Sequence, residues 1–128
     1  MKIPKKQTRK QLVKACDTEL SLSVREEHPA CVICGSTKNL TCGHLFSRVA
    51  FSTRWERLNV ATQCAGCNLR HEYDPHKFTL WFIKLHGLEA YERLAYKHSH
   101  VSKLSDAQLR LILMEIKERR RLWEGTQT

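Results

Sequence analysis

Apolar residues recur at helical spacing at both ends of the chain and lose that period in the middle. Leu12, Val13, Cys16 and Leu20 follow a 3.6-residue repeat, which predicts a helix over about residues 8–25. His28-Pro29 ends it, because the residue before a proline avoids helical geometry. Residues 29–71 hold no sustained period. Within them, residues 40–46 and 58–63 read as short strands joined by a longer loop, with turn signals at Cys34-Gly35-Ser36 and Cys64-Ala65-Gly66-Cys67. A further helix is expected to begin near Asn68.

The C-terminal half is helical by the same test. Phe78, Leu80, Trp81, Phe82, Ile83 and Leu85 form an apolar helix over residues 78–86 that stops at Gly87. A second, over about 88–98, places Leu88, Tyr91, Leu94 and Ala95 on one face. The last opens with Ser105 and Gln108 as a capping box and carries the stripe Leu109, Ile112, Leu113, Ile116 and Trp123. Leu111 and Leu122 point the other way and are the candidate surface for a homodimer. The expected fold is α+β: a small core over about residues 28–75, flanked by the N-terminal helix and by C-terminal helices over about 78–123. Residues 8–128 form one domain in this reading, and residues 1–7 a flexible basic arm.

Composition narrows the setting. Of the 128 residues, 41% are hydrophobic and 27% charged, as in an ordinary globular chain able to bury a modest core. No apolar run approaches the roughly 18 residues that span a bilayer, so no membrane partner is expected. The Met-Lys start leads into a polar basic stretch, and a cytoplasmic location with reduced thiols is expected.

Charge changes the picture more. Lysine and arginine number 22 against 13 acids, a formal +9. A zinc ion on four thiolates would bring this to about +7. Such an excess suits a polyanion, DNA above all. Residues 1–14 carry Lys2, Lys5, Lys6, Arg9, Lys10 and Lys14 with no acid. Between Cys34 and His71, Lys38, Arg48, Arg54, Arg57 and Arg70 face only Glu56. Arg48, Arg54, Arg57 and Arg70 are therefore the candidate phosphate contacts.

Cysteine spacing supplies the candidate chemistry. Cys31-x-x-Cys34 and Cys64-x-x-Cys67 can offer four thiolates to one tetrahedral metal, with zinc the usual occupant; disulfides or plain core thiols are the alternatives. The 29 residues between the pairs exceed a compact zinc ribbon and must build structure of their own. Cys16 and Cys42 fall outside the pattern and read as small buried hydrophobes. His44 sits on the first strand behind Gly43, which lets another group approach closely. Asn59 and Asn68 bracket the second strand. Histidine, then asparagine, then asparagine or histidine after a Cys-x-x-Cys is the order of a ββα-metal nuclease site. Glu72, His76 and His100 read as solvated surface.

His28-Pro29-Ala30-Cys31-Val32-Ile33-Cys34-Gly35, Gly43-His44, Arg57-Leu58-Asn59-Val60 and Gln63-Cys64-Ala65-Gly66-Cys67-Asn68 together resemble the zinc-bearing HNH nucleases. More narrowly, they resemble the phage NinG/Rap recombination endonucleases, over roughly residues 10–123. The resemblance implies an HNH-type endodeoxyribonuclease with a zinc-pinned ββα-metal core, acting in a phage-infected bacterium. Its implied substrates are branched recombination intermediates such as Holliday junctions, D-loops and forks, with Mg²⁺ or Mn²⁺ as catalytic cation. On this resemblance His44 is the general base, with a reference pKa near 6.5 that suits neutral pH. Asn59 braces the His44 loop, and the Asn68 carbonyl offers an oxygen to a hard cation, with His71 or Asp74 as second ligand. Two positions depart from the family. Gly43 stands where many HNH sites place a metal-binding acid, and Arg70-His71-Glu72-Tyr73-Asp74-Pro75-His76 replaces a Lys-Ser-Gly-Asn run. The rival reading is a zinc-stabilised DNA-binding module without catalysis, which would need neither His44 nor Asn68.

Overall fold

A computed structural model describes residues 6–100 and 103–127. Helix α1 (Arg9–Glu27) opens with a capping box between Thr8 and Gln11 and closes at His28. Next come β1 (Leu40–His44), a single helical turn α2 (Phe51–Arg54), a 3-10 turn (Arg57–Asn59) and β2 (Val60–Cys64). Helices α3 (Ala65–Tyr73), α4 (His76–His86), α5 (Leu88–Ser99) and α6 (Asp106–Thr126) complete the chain. The mixed α+β class expected from the periodicity holds, with one two-stranded sheet. Of the expected basic arm, residues 1–5 lie outside the described residues. Among the described residues, no helix is long and apolar enough to cross a membrane.

The strands pair antiparallel, with Leu40 opposite Cys64 and His44 opposite Val60. Consecutive strand residues face opposite sides, and β2 uses both. Val60 joins a core of Leu12, Cys16, Leu20, Val24, Trp55, Leu109, Leu113 and Ile116 between α1 and α6. Ala61 joins a second core of Leu45, Phe78, Phe82, Ala90 and Leu94 against α4 and α5. The sheet is thus a partition with helices on both faces, and its ends carry the cysteines and His44.

Both strands differ from their expected extents for one reason. β1 stops at His44 because the Asn59 side chain takes over the pairing: its Oδ1 accepts the Phe46 N–H at 2.8 Å and its Nδ2 donates to the Phe46 carbonyl at 3.0 Å. Residues 57–59 accordingly curl into the 3-10 turn. Cys16 is fully buried as expected, and Cys42 is half-buried, its thiol pushed up to about 12 by burial. Gly87 ends α4 with φ of +90°, and the Ser105–Gln108 capping box opens α6. Leu111 and Leu122 are 54% and 56% exposed, three turns apart on one face.

Helices α1 and α6 are clamped by ion pairs as well as by the core. Arg120 reaches Glu19 and Glu26, each at 2.6 Å, and Arg119 grips Glu27 through two bonds of 2.8 and 2.9 Å. Arg57 approaches Glu27 at 3.4 Å from the other side. The Glu27 carboxyl falls from 4.5 to about 2, chiefly through the Arg119 hydrogen bonds, which with the Arg57 charge outweigh burial. Its side chain is only 10% exposed, so Glu27→Gln leaves two guanidinium groups short of an anion. The expected loss is about 2 kcal/mol, less than a fully buried pair because Arg119 is half exposed. The folded-state value lies below the unfolded one, so this contribution is present above pH 4.5 and fades toward pH 2. Urea melts should show the gap between wild type and variant narrowing over that window.

Candidate metal centre and adjoining cleft

The two cysteine pairs meet at one end of the partition, where Leu40 lies opposite Cys64. The first sits on a turn closed by Gly35, whose φ of +78° lets its N–H reach the Cys31 carbonyl at 2.9 Å. The Val32 N–H donates to the Thr62 carbonyl at 3.0 Å and ties this turn to β2. Cys64 ends β2 and caps α3, with its sulfur accepting the Cys67 N–H at 3.4 Å. This cap explains why α3 begins at Ala65, a turn earlier than the sequence suggested.

All four sulfur atoms lie within 4.8 Å of one another, and those of Cys34 and Cys64 are 3.6 Å apart. A tetrahedral zinc with bonds of about 2.3 Å separates its sulfurs by about 3.8 Å. Every cysteine is a free thiol, so no disulfide competes for the cluster. Burial works against ionising Cys31, but hydrogen bonds from the backbone of Cys34, Cys64 and Ile33 outweigh it and bring that thiol down to about 6. The donor set fits a structural zinc.

One turn along α3 the same frame builds a cleft of about 470 Å³ between β1, the segment after it and α3. His44, Asn68, His71, Glu72 and Arg48 line it. Asn68, His71 and Glu72 share a face because they are spaced three and four residues apart on one helix. His44 Nε2–H donates to the Arg54 carbonyl at 2.9 Å. A carbonyl only accepts, so the proton sits on Nε2 and the lone pair stays on Nδ1. Burial pushes the His44 pKa below 6.5, and the charges of Arg48 and Arg54 add to the shift against the opposing Arg54 carbonyl and Asp17. His44 is therefore neutral at pH 7. His71 has the same arrangement: its Nε2–H donates to the Leu45 carbonyl at 2.9 Å, and its buried Nδ1 has no hydrogen-bond partner among the described residues.

The Arg54 carbonyl is itself held in place. Asp17 on α1 accepts from the Arg54 guanidinium at 3.0 and 2.6 Å and from the Trp55 indole at 2.9 Å. The guanidinium lies 5.4 Å from the centroids of both the Phe51 and Trp55 rings. Asn59, fully buried, adds a bond from Nδ2 to the Thr53 carbonyl at 3.0 Å. These bonds tie Asn59 to Phe46, two residues beyond His44, and to Thr53. Gly43 is needed because a methyl group there would overlap the Gln63 carboxamide.

The phosphate candidates are dispersed. Arg48, with its side chain 63% exposed, stands at the cleft. Arg54 is only 13% exposed and committed to Asp17. Arg57 lies with Glu27 beside α1, and Arg70 is exposed on α3 but does not line the cleft. Asp74 is not brought to the cleft either, its carboxylate accepting the His76 N–H at 3.2 Å. Glu72 is there instead. Its four-residue spacing from Asn68 is the signal that points to it, and the density of polar residues in that run hides it.

The family model described as the bacteriophage lambda NinG protein matches residues 2–124. No curated protein and no solved structure matches the chain.

Proposed function

We propose that this chain, which belongs to the bacteriophage lambda NinG family, is an HNH-type endonuclease that hydrolyses phosphodiesters of branched DNA in recombination. The observation that carries the reading is the His44 tautomer. A neutral imidazole whose proton is committed to the Arg54 carbonyl keeps a lone pair on Nδ1 in a cleft that also holds Asn68. Strand, strand and helix, with His44 on β1 and Asn68 at the start of α3, support a ββα-metal core.

In this mechanism His44 Nδ1 takes a proton from water as the water oxygen forms its bond to phosphorus. The bond from phosphorus to the leaving sugar oxygen breaks, and that oxygen takes a proton from solvent. The Arg54 carbonyl, already accepting from Nε2, stabilises the imidazolium that results. Asn68 offers an amide oxygen, and His71 or Glu72 a second donor, to a divalent cation. Mg²⁺ or Mn²⁺ bound there supplies charge neutralisation at the scissile phosphate. Arg48 orients the phosphate from the rim. Two copies would bring two clefts to opposed strands of a junction, and the exposed Leu111, Met114 and Leu122 offer α6 as the pairing surface.

The test is cleavage of labelled linear, forked and four-way DNA by zinc-loaded protein with Mg²⁺ or Mn²⁺. Branched substrates should be cut in preference to linear duplex. Activity should rise with pH along a limb centred below 6.5, as the lowered His44 pKa requires. Tight junction binding with no cutting in either cation would leave a DNA-binding module and end the nuclease reading.

A further inference from the structure

The cleft around His44 does not end at Ser47. Ser47 also lines a cavity of about 370 Å³ with Val49, Phe51, Ser52 and His100. Phe51, Ser52 and His100 in turn line a larger cavity of about 580 Å³ enclosed by α2, α5 and α6. The three spaces lie side by side along the segment between β1 and β2, each sharing lining residues with the next.

The far cavity differs chemically from the cleft. The Tyr96 ring, 68% exposed, lies against His100 with centroids 4.0 Å apart. Phe51 and Trp55 meet edge to face at 5.0 Å, and Ile112 and Ile116 form an apolar floor. Its charges are Lys97, ion-paired with Glu56, and Glu115. One ammonium against two carboxylates does not attract a phosphate. Aromatic faces, apolar floor and isolated polar groups suit a flat heterocycle with polar edges. A volume near 580 Å³ lies within the range of about 300–1,000 Å³ of small-ligand sites.

We infer that this cavity accepts an unpaired nucleobase from the DNA strand whose backbone crosses the His44 cleft. Tyr96 supplies the stacking face, and Arg48 meets the backbone next door. Bases inside a duplex are stacked and cannot enter, whereas a nucleotide beside a branch point can. The cavity therefore selects branched over linear DNA through named residues. The inference rests on reading the His44 cleft as the place where the backbone lies, and the chain of shared lining residues from that cleft through Ser47 to Phe51 and His100 favours a nucleic acid over a protein partner.

The experiment needs no cleavage. Full-length zinc-loaded protein, without added Mg²⁺ or Mn²⁺, is titrated into a fork carrying 2-aminopurine at the unpaired branch nucleotide and into a matching linear duplex. Wild type should bind the fork more tightly and change the emission of the unpaired base. Tyr96→Ala should lose about tenfold in fork affinity, the scale of one base–aromatic stack, while duplex affinity shifts by less than about twofold. Tyr96→Phe should keep wild-type selectivity, and Ile112→Trp, which fills the cavity, should lose it. Equal losses on fork and duplex, or no loss from either Tyr96→Ala or Ile112→Trp, overturn the inference. A wild type that shows this selectivity yet cuts nothing in Mg²⁺ or Mn²⁺ ends the nuclease reading alone. One that cuts normally while Tyr96→Ala keeps its fork preference ends the cavity proposal alone.

Discussion

His44→Ala lowers the rate of DNA cleavage by about 10²–10⁴, the usual effect of removing a general base, while zinc content and DNA affinity stay close to wild type. The separation follows from where the imidazole sits. It belongs neither to the cysteine cluster nor to either core, and its bond is to the Arg54 carbonyl. Losing that bond leaves one backbone acceptor short of a donor, at about 1 kcal/mol. His44→Gln sharpens the test, because an amide N–H can still donate to the Arg54 carbonyl but cannot take a proton from water. Single-turnover cleavage of a forked substrate should find both variants inactive and equally folded. A His44→Gln protein that cuts at near wild-type rate would refute the assignment. Asn68→Ala should also be inactive, with partial recovery at high Mn²⁺ if its carbonyl holds the cation.

Loss of the metal has a larger effect on the fold. Wild type should carry one zinc per chain, and Cys64→Ser should lose it and unfold or aggregate. Cys64 has three positions in one: the last residue of β2, the N-cap of α3 and one of the four clustered sulfurs. A metal held there would couple the sheet to the helix that carries Asn68, His71 and Glu72. Binding free energy at a structural zinc is folding free energy, on the order of 10 kcal/mol, comparable to the whole stability of a small domain. Cys42→Ser is the control. Its sulfur lies outside the quartet, so it should keep one zinc by elemental analysis and melt cooperatively. Zinc retained at full occupancy by a soluble, cooperatively melting Cys64→Ser protein would remove Cys64 from the ligand set.

Local rules account for much of the molecule. Proline after His28 ends α1, glycine at 87 ends α4, Ser105 with Gln108 opens α6, and Leu12, Cys16 and Leu20 on α1 and Leu109, Leu113 and Ile116 on α6 each form a buried stripe. Each rests on neighbours within about one helical turn, which is the range over which a sequence pattern reports geometry directly. The cysteine quartet is legible for a different reason. Two hooks of fixed internal spacing can close on one point only if the intervening chain folds back, and β1 and β2 are that return.

Where individual charges point is not legible in the sequence. Arg48, Arg54, Arg57 and Arg70 look alike along the chain, yet Arg54 is taken up by Asp17 and Arg57 by Glu27, partners some thirty to forty residues away on α1. The turn α2 escaped for the same cause. Four residues carry no period, and the Asp17 bonds to Arg54 and Trp55 hold that segment from another helix. Sequence alone therefore established the cysteine frame, the longer helices and the candidacy of His44 and Asn68. Tertiary structure alone decided which nitrogen of His44 keeps its lone pair. That choice depends on a backbone carbonyl ten residues on, held by a carboxylate from α1, and a hydrogen bond across such a distance depends on how the elements pack and not on the pattern within any one of them.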